Sequence, residues 1–157
     1  MNSSSFSKIM IATDGSELVK RAVDAAIEIA KISDAKLYAV YVIAPGGLSI
    51  GYPKDVGWEK TTLEYFRTEG EKATAYVENS GKAANVKVES VLLEGSPANE
   101  IVDFAEKNGI DIIVMGTLGR TGIDRFLLGS VAENVVRHSK KAVLVVRGES
   151  AEEGGKY

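Results

Sequence analysis

The sequence predicts a single-domain α/β fold, an open five-stranded parallel sheet with helices on both faces. Three observations point there. Five short apolar runs alternate with segments of helical periodicity along the chain. Those runs are nearly continuous in hydrophobic residues, as a parallel sheet buried on both faces demands. The length, 157 residues, suits one domain with one core.

The first strand is the run KIMIAT at 8–13, which ends at Asp14-Gly15. Ser16 is placed to cap the first helix. There Val19, Ala22, Val23, Ala26, Ile27 and Ala30 recur at i, i+3, i+4 spacing, with Lys20, Asp24, Glu28 and Lys31 opposite. KLYAVYVI at 36–43 is the second strand. Residues 44–57 carry Pro45, Gly46, Gly47, Gly51, Pro53 and Gly57 and read as a long loop. Residues 58–79 are helix-compatible, with an end expected near Gly81. Their mixed charges suit a solvated face, and Trp58 suits a hydrophobic anchor. VKVESVLL at 86–93 alternates as a third strand.

Ser96-Pro97 opens the next helix, with serine as N-cap and proline in the first turn. Ala98, Ile101, Val102 and Ala105 share one face of it, and Gly109 ends it. DIIVM at 111–115 is the fourth strand. A glycine-rich connection spans 116–129, a short helix spans 130–139, and KAVLVVR, from Lys141 to Arg147, is the fifth strand. The core is therefore expected at 8–147, with flexible ends at 1–7 and 148–157.

Composition narrows the function. The chain has no cysteine, which excludes disulfides, iron–sulfur clusters and thiolate zinc sites. A net charge of −3 argues against broad electrostatic binding to nucleic acid or anionic membrane. No apolar run is long enough to span a bilayer, and residues 1–7 lack the apolar centre of a secretory signal. The expectation is a cytoplasmic protein with no nucleic-acid or membrane partner.

In open parallel sheets, ligands bind beyond the carboxyl ends of the strands, where strand order reverses. Thr13-Asp14, Val42-Ile43 and Gly116 all sit at such ends. After the fourth strand, Gly116, Gly119 and Gly129 are followed by Ser130, a Gly-x2-Gly-x9-Gly-Ser pattern. Glycines allow positive φ and close approach of phosphate oxygens to backbone amides. Gly129-Ser130 coincides with a helix start, whose unpaired N–H groups and partial positive charge suit a phosphate. The Ser130 hydroxyl could add a donor or simply cap the helix. No lysine lies between Gly116 and Ser139, so this is not a P-loop. Nor is it the dinucleotide fingerprint, whose glycines follow the first strand.

Together, the opening IMIATDGS, the glycine-serine pattern and the closing KAVLVVR resemble the universal stress protein family, over nearly the whole of 8–147. The glycine motif resembles that of the family's ATP-binding type. The resemblance implies a Rossmann-like sheet of order 3-2-1-4-5, related to adenine nucleotide alpha hydrolases. It also implies ATP as ligand and a homodimer pairing through the last strand. Residue by residue, Ala12, Thr13 and Asp14 match the family's first-strand contacts, and Val42 matches the backbone contact to adenine. Met115, Gly116 and Gly119 match the part that wraps ribose and phosphates. Gly129, Ser130 and Val131 match the phosphate clamp.

Asp14 beside a triphosphate needs an intervening cation, which the Mg²⁺ or Mn²⁺ carried by ATP would supply. The alternatives are a bond to the ribose hydroxyls or a cap on the first helix. Arg120 and Arg125 could reach a γ-phosphate or lie in solvent. Phe126, Leu127 and Leu128 either anchor the loop or meet a second subunit. His138 has no clustered partner and suits the cation-favouring end of a helix. No general base or nucleophile–base pair is evident, so the reading is a nucleotide-dependent regulatory protein with an unidentified protein partner. A slow ATP hydrolase or phosphotransferase built on Asp14, a metal and Arg120 or Arg125 is the alternative. A dimeric interaction module without nucleotide is a second.

Overall fold

The computed structural model describes residues 6–44, 56–117 and 128–148, with backbone alone at 56–59. In chain order the elements are β1 (Lys8–Ala12), α1 (Lys20–Ser33), β2 (Lys36–Ile43), α2 (Val56–Ala83), β3 (Val88–Glu94), α3 (Pro97–Lys107), β4 (Ile112–Gly116), α4 (Ser130–His138) and β5 (Ala142–Val146). All pairings are parallel, and the sheet order is β3-β2-β1-β4-β5. Both the fold class and the strand order are as expected.

Side-chain alternation along each strand divides the core in two. Ile9 and Ile11 of β1, Leu37 and Ala39 of β2, and Val114 of β4 face α1 and α2, meeting Val23, Ala26 and Val77. Met10, Val40, Ile113 and Met115 face α3 and α4, meeting Ile101, Ala105, Ala132 and Val135. Most of these residues are fully buried. The helices thus cover both faces, and β1 is flanked by β2 on one side and β4 on the other. The chain leaves β1 toward β2 and later returns to β4, so the order reverses between β1 and β4.

Three helices stop in the same way, and here local chemistry corrects an expectation. Asp34 (φ 53), Asn85 (φ 59) and Gly109 (φ 62) take left-handed backbone just past α1, α2 and α3. The amides of Ala35, Val86 and Ile110 then reach back to the carbonyls of Ala30, Gly81 and Ala105 at 2.8–3.0 Å, a Schellman closure. Gly81 therefore lies inside α2, and Asn85 is the residue that ends it. Because Val86 belongs to that turn, β3 begins at Val88.

The N-terminal expectation for α1 also shifts. A 3-10 turn at Glu17–Val19 precedes it, and Ser16 makes no side-chain capping bond. Its hydroxyl donates to Asp14 Oδ1 instead, at 2.6 Å.

At the amino edge of the sheet, Asp111 ties β4 to β1. Its Oδ2 accepts from the Lys8 and Ser7 amides at 3.0 and 2.8 Å and from the Ser7 hydroxyl at 3.2 Å. These bonds, that from the Lys8 amide foremost, hold its carboxyl below the usual aspartate value. No helix among the described residues is long and apolar enough to cross a membrane.

Candidate functional site

A cleft of about 420 Å³ opens at the carboxyl edge of the sheet, over the point where strand order reverses. Ala12, Thr13 and Asp14 form its floor at the end of β1, and Met115 and Gly116 do so at the end of β4. Val42 lines it from β2, and Gly129, Ser130 and Val131 line it from the start of α4. Nine of the ten sequence-predicted positions thus meet in one cavity, although they span residues 12–131 of the chain. The tenth, Gly119, lies outside the described residues, as do Arg120, Arg125, Phe126 and Leu127.

The turn after β1 is built by its own side chains. Thr13 N–H donates to Val40 O at 2.9 Å, continuing the β1–β2 ladder by one residue. Thr13 Oγ1 accepts from Gly15 N at 3.1 Å, and Asp14 Oδ1 accepts from Ser16 N at 2.9 Å. The second bond is an Asx turn, which Asp-Gly-Ser favours. The residue between them, Gly15, takes φ 76, a left-handed backbone that glycine adopts without a Cβ penalty. Asp14 therefore serves the entry to α1 while still lining the cleft, so two of the roles left open for it are compatible.

The opposite wall is a helix start. Gly129 N–H donates to Thr117 O at 2.6 Å, and Thr117 N–H donates to Val146 O at 3.1 Å. These bonds lash Gly129, at the start of α4, to the ends of β4 and β5. The first intrahelical bond of α4 runs from Glu133 N to Gly129 O at 2.9 Å. The amides of Ser130, Val131 and Ala132 consequently have no acceptor within the helix, and all three residues line the cleft. Gly129 is the N-cap residue and Ser130 the first helical one, so the Ser130 hydroxyl does not cap α4. It is exposed at the cleft mouth.

The reason for glycine at two motif positions also changes. Positive φ among the described glycines occurs at Gly15, Gly95 and Gly109. Gly116 belongs to β4, and Gly129 has φ −60 and ψ 157, a backbone that any residue can adopt. Left-handed backbone is therefore not what glycine contributes at these two sites.

Sequence reasoning missed several lining residues, among them Val19, Phe66, Pro97 and Thr117. Thr117 carried a usable signal, being polar and directly after a buried strand. Phe66 carried only its place in an apolar stripe, with Leu63, Ala73 and Val77. Among the described residues, no group of three or more His, Asp or Glu could hold a metal. Asp14 is the one carboxylate among the described lining residues, so a cation here would need phosphate oxygens for most of its ligands. His138 lies apart, in a shallow groove between α3 and α4 with Asn99 and Asp103. Its Nδ1–H donates to Asn134 O at 2.9 Å.

Comparison with known proteins agrees with this architecture. The model of the universal stress protein family matches residues 5–147. A universal stress protein of Methanocaldococcus jannaschii is 46% identical over 142 residues, covering 90% of this chain and 82% of the relative. Among solved structures, a universal stress protein in complex with cAMP superposes with a TM-score of 0.69 at 29% identity, over 92% of this chain and 98% of that one. The universal stress protein from Archaeoglobus fulgidus in complex with dAMP gives 0.68 at 26% identity, over 90% and 98%.

Proposed function

Since the chain belongs to the universal stress protein family, we propose that it binds an adenine nucleotide in the cleft between β1 and β4 and acts as a nucleotide-dependent regulator. One observation carries the proposal: Ser130, Val131 and Ala132, whose amides have no acceptor within α4, line the same cleft as the ends of β1, β2 and β4. A helix N-terminus with unpaired N–H groups suits a phosphate. An apolar concavity beside it suits a base. That related proteins are described in complex with cAMP and dAMP supports an adenine nucleotide.

The finer proposal is ATP with Mg²⁺ or Mn²⁺. Gly116, Gly119, Gly129, Ser130 and Val131 would surround the phosphates. Ala12, Thr13, Val42 and Met115 would hold base and ribose, and Asp14 would face the metal or the ribose. Regulation, and not turnover, fits a cleft whose described lining has a single carboxylate already bonded to Ser16. The proposed dimer uses β5, an edge of the sheet, from Lys141 to Arg147. Val136, 47% exposed on the neighbouring α4, would add apolar area to that interface.

The test is a thermal-shift titration with ATP and Mg²⁺ against GTP, AMP and no ligand, together with identification of any nucleotide that co-purifies. Stabilisation by adenine nucleotides is expected. No shift at millimolar ATP and no co-purifying nucleotide would refute the proposal. Light scattering behind size exclusion tests the dimer.

A further inference from the structure

The two ends of the cleft differ in chemistry. Beyond β4 lies the start of α4, with its donors. Beyond β2 lies an apolar wall of Tyr41, Ile43 and Phe66, part of a separate small cluster under α2 that includes Ala73. Phe66 is the part of that wall supplied by a helix, and it is partly exposed.

Its position is held from both sides. One turn on, Gly70 has no side chain. A Cβ there would lie 2.7 Å from Tyr41 Cδ1 and 2.8 Å from Leu92 Cδ2, so α2 sits closer to β2 and β3 than a side chain would permit. The adjacent Arg67 pairs its Nη2 with Glu94 Oε1 at the end of β3, at 3.0 Å. Tyr65 meets the Phe66 ring edge-on, with centroids 5.5 Å apart. The ring is therefore presented to the cleft by a fixed stretch of helix.

The apolar wall lies beyond β2 and the donor end beyond β4, with β1 between them. A nucleotide that reached both would lie across the strand ends, its ribose joining base to phosphate. A purine is joined to ribose through its five-membered ring and projects its six-membered ring farther out. A pyrimidine held at the same ribose and phosphate stops short.

We propose that Phe66 contacts the base and makes the cleft select purine over pyrimidine nucleotides. This rests on the nucleotide reading above. None of the positions matched to the family's contacts lies on α2, so Phe66 is a specificity determinant in addition to them.

The experiment measures affinities for ATP, CTP and inorganic tripolyphosphate, each with Mg²⁺, by calorimetry on the wild type, Phe66→Ala and Phe66→Leu, with circular dichroism to check folding. The wild type is expected to prefer ATP to CTP. Phe66→Ala should weaken ATP about tenfold, the scale of losing one base–aromatic contact, and leave CTP and tripolyphosphate unchanged. Phe66→Leu keeps most of the volume without the ring and should lower the ATP-to-CTP preference with the fold intact, which decides the matter if the alanine variant does not fold. Unchanged ATP affinity in the folded variants, or equal losses for ATP and tripolyphosphate, would overturn the role of Phe66 alone. A wild type that binds no ATP would overturn the nucleotide reading and this inference with it.

Discussion

Replacing Gly129 with valine is the sharpest test of where the phosphates sit. The residue has φ −60 and ψ 157, so valine is tolerated by the backbone. Losing a favourable N-cap residue should cost about 1 kcal/mol of stability. The ligand should suffer more. Gly129 lines the cleft beside the first amides of α4, which have no acceptor within the helix, and its own N–H is tied to Thr117 O at 2.6 Å. The chain cannot back away to make room for a side chain. Losing two amide–phosphate bonds at about 1.5 kcal/mol each weakens binding about a hundredfold. At ATP a hundredfold above the wild-type dissociation constant, the wild type gains about 2.7 kcal/mol of stability. The variant, then near half-saturation, gains about 0.4 kcal/mol. For a chain of 157 residues, the expected melting shifts are about 5–11 °C and about 1–2 °C. Differential scanning fluorimetry reads both directly. Equal shifts in wild type and a folded Gly129→Val variant would refute the assignment of phosphates to the start of α4.

Three further outcomes follow from particular contacts. Gly15→Ala forces φ 76 on a residue with a Cβ, so urea unfolding should show a loss of about 1–2 kcal/mol. ATP affinity should fall as well, because the same turn aims Asp14. Ile113→Ala empties a fully buried site in the middle of the sheet, and should lower stability by about 2–5 kcal/mol with an unchanged urea m-value. Asp111→Asn removes the charge that accepts from Ser7 and Lys8, with an expected loss of about 1 kcal/mol at pH 7. Because the folded carboxyl titrates below its ordinary value of 3.8, its contribution is present above that pH and is lost as pH falls through the lower folded value. The difference between Asp111→Asn and wild type in denaturant midpoint should therefore shrink in acid. A difference that persists at the acid end would place the stabilisation elsewhere.

Much of this was legible in the residues because the signals are local. The strands KIMIAT and KLYAVYVI are continuous apolar runs, and only a sheet covered on both faces accommodates them. α1 repeats its apolar positions with helical spacing, and Gly109 ends α3 by taking φ 62. α2 ends at Ala83, two residues past the position near Gly81 where an end is expected. Gly81 does not stop the helix; its missing side chain serves close packing, since a Cβ there would strike the Val88 side chain. Asn85 does the stopping, because its short polar side chain tolerates left-handed backbone.

By itself, the sequence determined the alternation of strands and helices, which follows from local periodicity, and the candidate positions from Ala12 to Val131, which follow from motif spacing together with the family resemblance. Only the tertiary structure decided that β1, β2, β4 and α4 bring nine of those positions into one cleft. The same holds for Asp14, whose Oδ1 is turned toward Ser16, for Gly129, whose backbone is extended and not left-handed, and for Phe66, which reaches the cleft from α2. These facts depend on where distant segments pack. A contact between Phe66 and the ends of the strands is set by how closely Gly70 lets α2 approach Tyr41, and no local pattern along the chain encodes that distance.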